Sequence, residues 1–159
     1  MRPLPKHLRR RRRYLALRVR CRLDVTLEPR CLQRALWATA HRLGGARLSA
    51  EADLRVMRVA AAPGVAVAVI RTPHGVERTA RGVIAAMDTV DGTPVAPHVI
   101  GTCGTIAACE ERYMNHDTRP VDERDVAFDS HTRTAFVRGM QVDIVGPPDE
   151  ISATRLDLE

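Results

Sequence analysis

Tyr14-Leu-Ala-Leu-Arg-Val-Arg-Cys-Arg-Leu23 is the stretch that decides the fold. Leu15, Leu17, Val19, Cys21 and Leu23 point one way, and Ala16, Arg18, Arg20 and Arg22 point the other. A period of two with one apolar face is the pattern of a half-buried strand. Immediately before it stands Leu4-Pro-Lys-His-Leu8 and a run of five arginines, Arg9 to Arg13. Residues 1–22 hold 10 of the 25 basic side chains and no Asp or Glu; the rest of the chain carries 15 basic and 19 acidic groups. The net charge of +6 therefore belongs to the N-terminal stretch, and the body behind it is mildly acidic.

At 159 residues the chain suits one domain with an add-on. Its core must be aliphatic, because Phe, Tyr and Trp make up 3% of it. The basic residues are 24 Arg and the single Lys6, a bias that GC-rich coding alone can produce. Cys21, Cys31, Cys103 and Cys109 form no C-x-x-C pair, so buried reduced thiols are expected over a metal site or disulfide. Arg18, Arg20 and Arg22 interrupt any secretory apolar run, and Val65 to Ile70 is too short to span a bilayer. A cytoplasmic protein with no membrane partner is expected.

Residues 1–13 read as a flexible basic arm, since Pro3 and Pro5 accompany too little apolar surface to fold. Pro29 opens a first helix with an apolar seam of Leu32, Ala35, Leu36, Ala40 and Leu43, and Gly44-Gly45 ends it. Trp37 flanks that seam and reads as a core-edge residue. Ser49 to Asp53 reads as a turn or short helical piece. Leu54 to Ala61 and Val65 to Ile70 read as a hairpin about Pro63-Gly64, with Arg58 breaking the alternation of the first strand. Thr72-Pro73 supplies a cap and first-position proline for a second helix that buries Val76, Ala80, Val83, Ile84 and Met87. His98 to Cys103 is a short strand, and Gly104-Thr105 opens a third helix to about Met114, with Ile106, Cys109 and Tyr113 on one side.

The order predicts an α+β, ferredoxin-like (split βαβ, RRM-like) domain over residues 14–114. Its four-stranded antiparallel sheet has the first strand at its centre and helices on one face. Arg18, Arg20 and Arg22 then lie on the open face, beside the small side chains Ala66 and Ala68. Residues 115–159 read as an acidic C-terminal extension, partly β, with short strands at Arg124 to Phe128, Thr134 to Val137 and Met140 to Val145, a turn at Arg138-Gly139, and a polar tail after Pro147-Pro148.

Five consecutive arginines cannot pack together; they are solvated or neutralised by a polyanion. A solvated tail, an import signal or coding bias are the plain alternatives to nucleic acid. Continuation of the charge onto a rigid strand favours nucleic acid. Neutralising about six phosphates would give a logarithmic salt slope of about −4 to −5 on single strands. The RRM base-stacking motif is absent, and Tyr14 is the sole aromatic on the sheet, so phosphate and shape recognition is the expected mode. Catalytic patterns are weak. The six histidines have no metal-ligand spacing, and His41 falls on the polar side of the first helix. Glu110 and Glu111 are adjacent and cannot converge on one substrate, and Cys103 has no identifiable base. The turn Gly101 to Thr105 is a common anion-compatible feature.

Leu4-Pro-Lys-His-Leu-Arg-Arg-Arg-Arg-Arg-Tyr-Leu-Ala16, Gln33-Arg-Ala-Leu-Trp37 and Gly104-Thr-Ile-Ala-Ala-Cys-Glu-Glu-Arg-Tyr-Met114 together resemble the archaeal ribonuclease P protein component 2 family, in its haloarchaeal branch. The resemblance covers residues 3–114, with the C-terminal extension similar to that of the halophile branch. It implies a ferredoxin-like sheet and a non-catalytic subunit of an endoribonuclease that removes the 5′ leader of precursor tRNA. It implies binding to ribonuclease P RNA, which carries the chemistry with magnesium, so no cofactor is expected in this chain. It also implies pairing with protein component 3 and self-association within a heterotetramer. RNA contacts carry onto Lys6, Arg9, Arg10 and Arg13, and the charge pattern adds Arg11, Arg12, Arg18, Arg20 and Arg22. Two positions depart from the family: Ala107 stands where a basic residue is usual, and Arg11-Arg12 replaces a more varied stretch. The rival readings are a small-molecule-binding regulatory domain on the same fold and a thiol or metal enzyme using Cys103 and Cys109.

Overall fold

The structure, a computed structural model, describes residues 10–22, 25–114, 122–128, 130–138, 141–144 and 151–154. It divides into two compact units, Met1–Thr118 and Arg119–Glu159. The first unit is α+β. Its strands are β1 (Arg12–Arg20), β2 (Arg55–Ala62), β3 (Val65–Pro73), the two-residue pair β4 (Thr89–Val90) and β5 (Thr93–Pro94), and β6 (Ala96–Cys103). Its helices are α1 (Pro29–Ala52), α2 (Glu77–Ala85) and α3 (Ile106–Cys109), which continues as a π-helical turn over Glu110–Met114. The main sheet has the order β2-β3-β1-β6 with every neighbour antiparallel.

Alternation in β1 places Leu15, Leu17 and Val19 against α1 and α2, in a core with Leu32, Leu36, Val83 and Ile84. Each of these is essentially inaccessible, and burial of a side chain of this size contributes about 2 kcal/mol. Strand β1 begins two residues earlier than the alternation indicates. Arg12 and Arg13 pair with Pro73 and Thr72, so the end of the arginine run is part of the sheet. Lys6 and Arg9 lie outside the described residues.

The hairpin β2–β3 turns at Pro63-Gly64, where Gly64 has a φ of +80°. The break in alternation at Arg58 is a β-bulge between Val56 and Arg58; the extra residue, Met57, shifts the facing of the rest of the strand. The small side of β3 runs opposite to expectation. Ala66 and Ala68 pair with Val19 and Leu17 and belong to the helix-side core. Arg18 and Arg20 instead stand opposite Val67 and Val65. Small residues belong where helices press closest, and β3 spends its alanines there.

Helix α1 bends sharply at Gly44-Gly45. Gly45 has φ +65° and ψ −163°, a conformation that only glycine adopts at no steric cost. The glycines thus end the first rod, and a second short rod runs on to Ala52. Leu43, counted in the seam, is 52% exposed because it sits at this bend. Two side chains tie α1 to the edge strand: Gln33 Nε2 donates to the Leu54 carbonyl at 2.9 Å while its Oε1 accepts from the Val56 amide at 2.7 Å. Trp37 Nε1 donates to the same Leu54 carbonyl at 3.0 Å, and the Arg55 guanidinium lies 5.8 Å from its ring centroid. Trp37 remains 42% exposed.

Thr72-Pro73 does not start α2. A residue before proline is pushed toward extended geometry, and β3 runs through both. Thr72 is fully buried and its Oγ1 donates to the Ala52 carbonyl at 2.9 Å. The turn His74-Gly75 follows, with Gly75 at φ +89°, and α2 begins at Glu77. Ala80, Val83, Ile84 and Met87 are buried as the periodicity requires, while Val76 is half-buried.

The second face of the sheet is partly covered, not open throughout. Thr105 caps α3, its side chain accepting from the Ala108 amide at 3.2 Å. Cys109 and Tyr113 then pack onto Ala16, Val69 and Cys103 in a second cluster that includes Tyr14, Met57 and Met114. A Cβ built at Gly101 would collide with the Tyr113 ring. The small residues Ala16 and Gly101, which face each other across β1 and β6, are what admit this cover.

The second unit is an antiparallel sheet of β7 (Asp122–Phe128), β8 (His131–Arg138), β9 (Gln141–Ile144) and β10 (Ile151–Thr154) in the order β10-β9-β8-β7. Ala135, Val137, Val142 and Ile144 form its buried cluster. β10 falls in the segment that reads as a polar tail. Residues 139–140 and 145–150, which hold Gly139 of the expected turn and Pro147-Pro148, lie outside the described residues. Among the described residues no helix is long and apolar enough to cross a membrane.

Candidate nucleic-acid interface

Strand β1 and the residues just before it distribute their arginines in three ways. Arg12 reaches Asp53, at the end of α1, with Nη1 to Oδ2 at 2.7 Å. Arg13 reaches Glu77, at the start of α2, with Nε to Oε1 at 3.5 Å. These pairs bracket the point where the chain enters the sheet. Burial pushes the Asp53 carboxyl up, but hydrogen bonds from Arg12 and Arg55 outweigh it, so its pKa lies below the ordinary value. Glu77 is likewise lowered, first by its own backbone amide, then by the Gly75 amide, which donates at 2.7 Å, and by the neighbouring His74 and Arg13.

Arg10 and Arg11 are exposed and make no ion pair with any described residue. The Arg11 carbonyl accepts from the His74 amide at 3.0 Å. Arg10 and Arg11 therefore line a shallow groove with His74, Pro73, Val76, Ala50 and Glu51.

Arg18 and Arg20 project onto the second face of the sheet. Arg18 stands between Val67 and His98, and Arg20 between Val65 and Ala96. Arg22 is exposed beyond the end of the strand. The same face carries two arginines that the sequence did not single out. Arg58 pairs in register with Val69 and its Nε meets Glu110 of the π-helical turn at 3.2 Å. Arg71 stands between Tyr14 and Arg55, and its buried Nε has no hydrogen-bond partner among the described residues. The bulge hid Arg58, and an apparent helix start hid Arg71. With these two, the second face is a cationic surface partly roofed by the π-helical turn. Glu110 is an ion-pair partner there.

Of the nine sequence-selected basic residues, seven are described, and apart from Arg22 beyond the strand end they fall into separate groups. Arg12 and Arg13 are neutralised by acids within the fold, Arg10 and Arg11 face an open groove, and Arg18 and Arg20 lie on the second sheet face. Ala107 is exposed on α3 and offers no charge there.

None of the four cysteines is in a disulfide. Cys103 and Cys109 belong to the second-face cluster, and Cys109 Sγ donates to the Tyr14 carbonyl at 3.5 Å. Burial, followed by the neighbouring Cys103 thiol, pushes the Cys109 pKa up to about 12, so it stays a neutral thiol. Among the described residues no group of three or more His, Cys, Asp or Glu side chains is arranged to hold a metal ion. His41 is exposed.

Comparison with known proteins yields consistent matches. The model of the Rpp14/Pop5 family matches residues 13–114. A protein of Halorubrum lacusprofundi named ribonuclease P protein component 2 is 40% identical over 159 residues, all of both chains. Proteins of the same name from Natronomonas pharaonis and Haloarcula marismortui are 39% and 36% identical, with 99% of this chain aligned to 98% and 99% of theirs.

Proposed function

The chain belongs to the Rpp14/Pop5 family, and from that premise we propose that it is a protein subunit of an archaeal ribonuclease P, acting in tRNA 5′-end maturation in the cytoplasm. Full-length similarity to proteins named ribonuclease P protein component 2 carries this reading. The strand order β2-β3-β1-β6, with α1 and α2 on one face, supports the split βαβ, ferredoxin-like class for residues 14–114. The arm before residue 14 and the extension 115–159 complete the proposed organisation.

In this reading the chain binds ribonuclease P RNA through phosphates. Lys6, Arg9, Arg10 and Arg11 act from the arm, and Arg18, Arg20 and Arg22 act from the sheet and its end. Arg12 and Arg13 contribute net charge already offset by Asp53 and Glu77. The RNA, with magnesium, performs the hydrolysis of precursor tRNA, and this chain supplies no catalytic residue. Protein component 3 and a second copy of the chain complete the assembly.

Pull-down of the full chain from its native cell, followed by sequencing of bound RNA, tests the proposal. Enrichment of one structured RNA with pre-tRNA-cleaving activity in the eluate is the expected result. An eluate without that RNA and without the activity would overturn it.

A further inference from the structure

We propose that the groove between the root of the arm and the His74 turn is a phosphate-binding site formed by Arg10, Arg11 and the His74 imidazole, with Arg12 and Arg13 as positioning residues. The inference rests on the ribonuclease P reading for its natural ligand, a phosphodiester of the RNA, though the chemistry recognised is that of any phosphate.

Three contacts fix the arm where it leaves the sheet. Arg12 is tied to Asp53 at 2.7 Å, Arg13 to Glu77 at 3.5 Å, and the Arg11 carbonyl to the His74 amide at 3.0 Å. The first anchor lies at the end of α1, the second at the start of α2, and the third in the turn between β3 and α2. Held on these sides, Arg10 and Arg11 line one groove with His74. None of the three side chains has an acidic hydrogen-bond partner among the described residues, and the nearest acid to the His74 ring by its electrostatic effect is Glu77, which Arg13 already pairs. Two guanidinium groups and an imidazole beside one concavity match the several acceptor oxygens of a phosphate. The entropic cost of ordering the arm root is met in the free protein.

Glu51 lines the same groove and opposes an anion there. This gives the site an internal sign test. Both Asp53→Asn and Glu51→Gln remove one negative charge close to the arm. A purely long-range effect of charge would tighten phosphate binding in both. Positioning by Arg12 predicts opposite signs: Glu51→Gln tightens binding, and Asp53→Asn weakens it despite the lost repulsion.

The test uses the full chain. Filter binding to ribonuclease P RNA across a salt series is expected to show about fivefold weaker binding for His74→Gln. Arg10→Ala with Arg11→Ala should make the logarithmic salt slope shallower by about 1 to 2. In parallel, titration with inorganic phosphate is expected to shift the His74 ring resonances in the wild type and not in the Arg10→Ala, Arg11→Ala variant. Circular dichroism melts establish that each variant folds. A wild type whose His74 signals respond to phosphate while the RNA does not bind would uphold the site and remove the ribonuclease P reading. RNA binding that is indifferent to His74→Gln, with His74 signals silent to phosphate, would overturn the site and leave that reading intact. An Asp53→Asn variant that binds RNA more tightly would overturn the positioning role of Arg12.

Discussion

Arg12 Nη1 and Asp53 Oδ2 stand 2.7 Å apart across 41 residues of sequence, each side chain less than one-third exposed. The pair joins the first strand to the far end of the first helix. It converts part of a charged tail into a fixed element of the fold.

The pH dependence of that joint has a definite sign. The Asp53 carboxyl titrates below its ordinary value in the folded protein. A depressed folded pKa means that the stabilisation is complete above the unfolded carboxylate range and is lost as pH falls through the folded value. Asp53→Asn is expected to cost about 1 kcal/mol at neutral pH. The difference between wild type and variant should shrink on acidification below about pH 4. Urea melts of both proteins from pH 7 to pH 3 measure this, and a gap that widens toward acid would contradict the assignment.

The cover on the second face depends on the absence of a side chain at position 101. Gly101→Ala places a methyl group into the Tyr113 ring, so either the ring or the strand must move. Destabilisation of about 1–3 kcal/mol is expected, as for other overpacked sites. Adding Tyr113→Ala should recover part of it, because the two changes are coupled through one contact. Additive losses in a double-mutant cycle would show that Tyr113 does not seat on Gly101.

Thiol reactivity separates the cysteines. Cys109 is fully buried with its pKa pushed up to about 12, and the thiolate is the reactive form. Cys31 is half-buried and reachable, with the Arg34 Nη2 donating to its sulfur at 3.3 Å and its thiol donating to Asp91 Oδ2 at 3.6 Å. Brief alkylation of the native protein at pH 8 should therefore modify Cys31 and spare Cys109, with both modified in denaturant. Peptide mass spectrometry reads the outcome, and early labelling of Cys109 would mean that α3 opens readily.

Much of this architecture is legible in the residues. The alternation from Leu15 to Val19 identifies the central strand and the face that meets the helices. Pro29, Gly44-Gly45 and Pro63-Gly64 mark real boundaries because each imposes a backbone geometry that few residues tolerate. Local rules failed where two signals competed. Thr72-Pro73 suits a helix start, yet proline's own demand on its predecessor kept Thr72 extended. The cover on the second face was missed because its footprint, Ala16 and Gly101, shows no apolar bulk. The division of the arginines was illegible for a different reason. Asp53 and Glu77 lie 41 and 64 residues from their partners, and nothing in a charge run announces which members will be neutralised. His74 entered the candidate site only because the turn after β3 returns beside the arm.

The bend at Gly44-Gly45 has a consequence for how the chain can change length. The short rod beyond it delivers the Ala52 carbonyl to Thr72 and the Asp53 carboxylate to Arg12. Leu48 and Ala52 on that rod pack into the core, but Arg47, Ala50 and Glu51 are exposed, so for packing alone their identities are free to drift. Their number is not: inserting or deleting one residue turns everything after it by about 100° around the helix axis and swings Asp53 off its target. For folding, residues 46–52 are thus a spacer of fixed count, with loose spelling only at its exposed positions, and intolerant of indels.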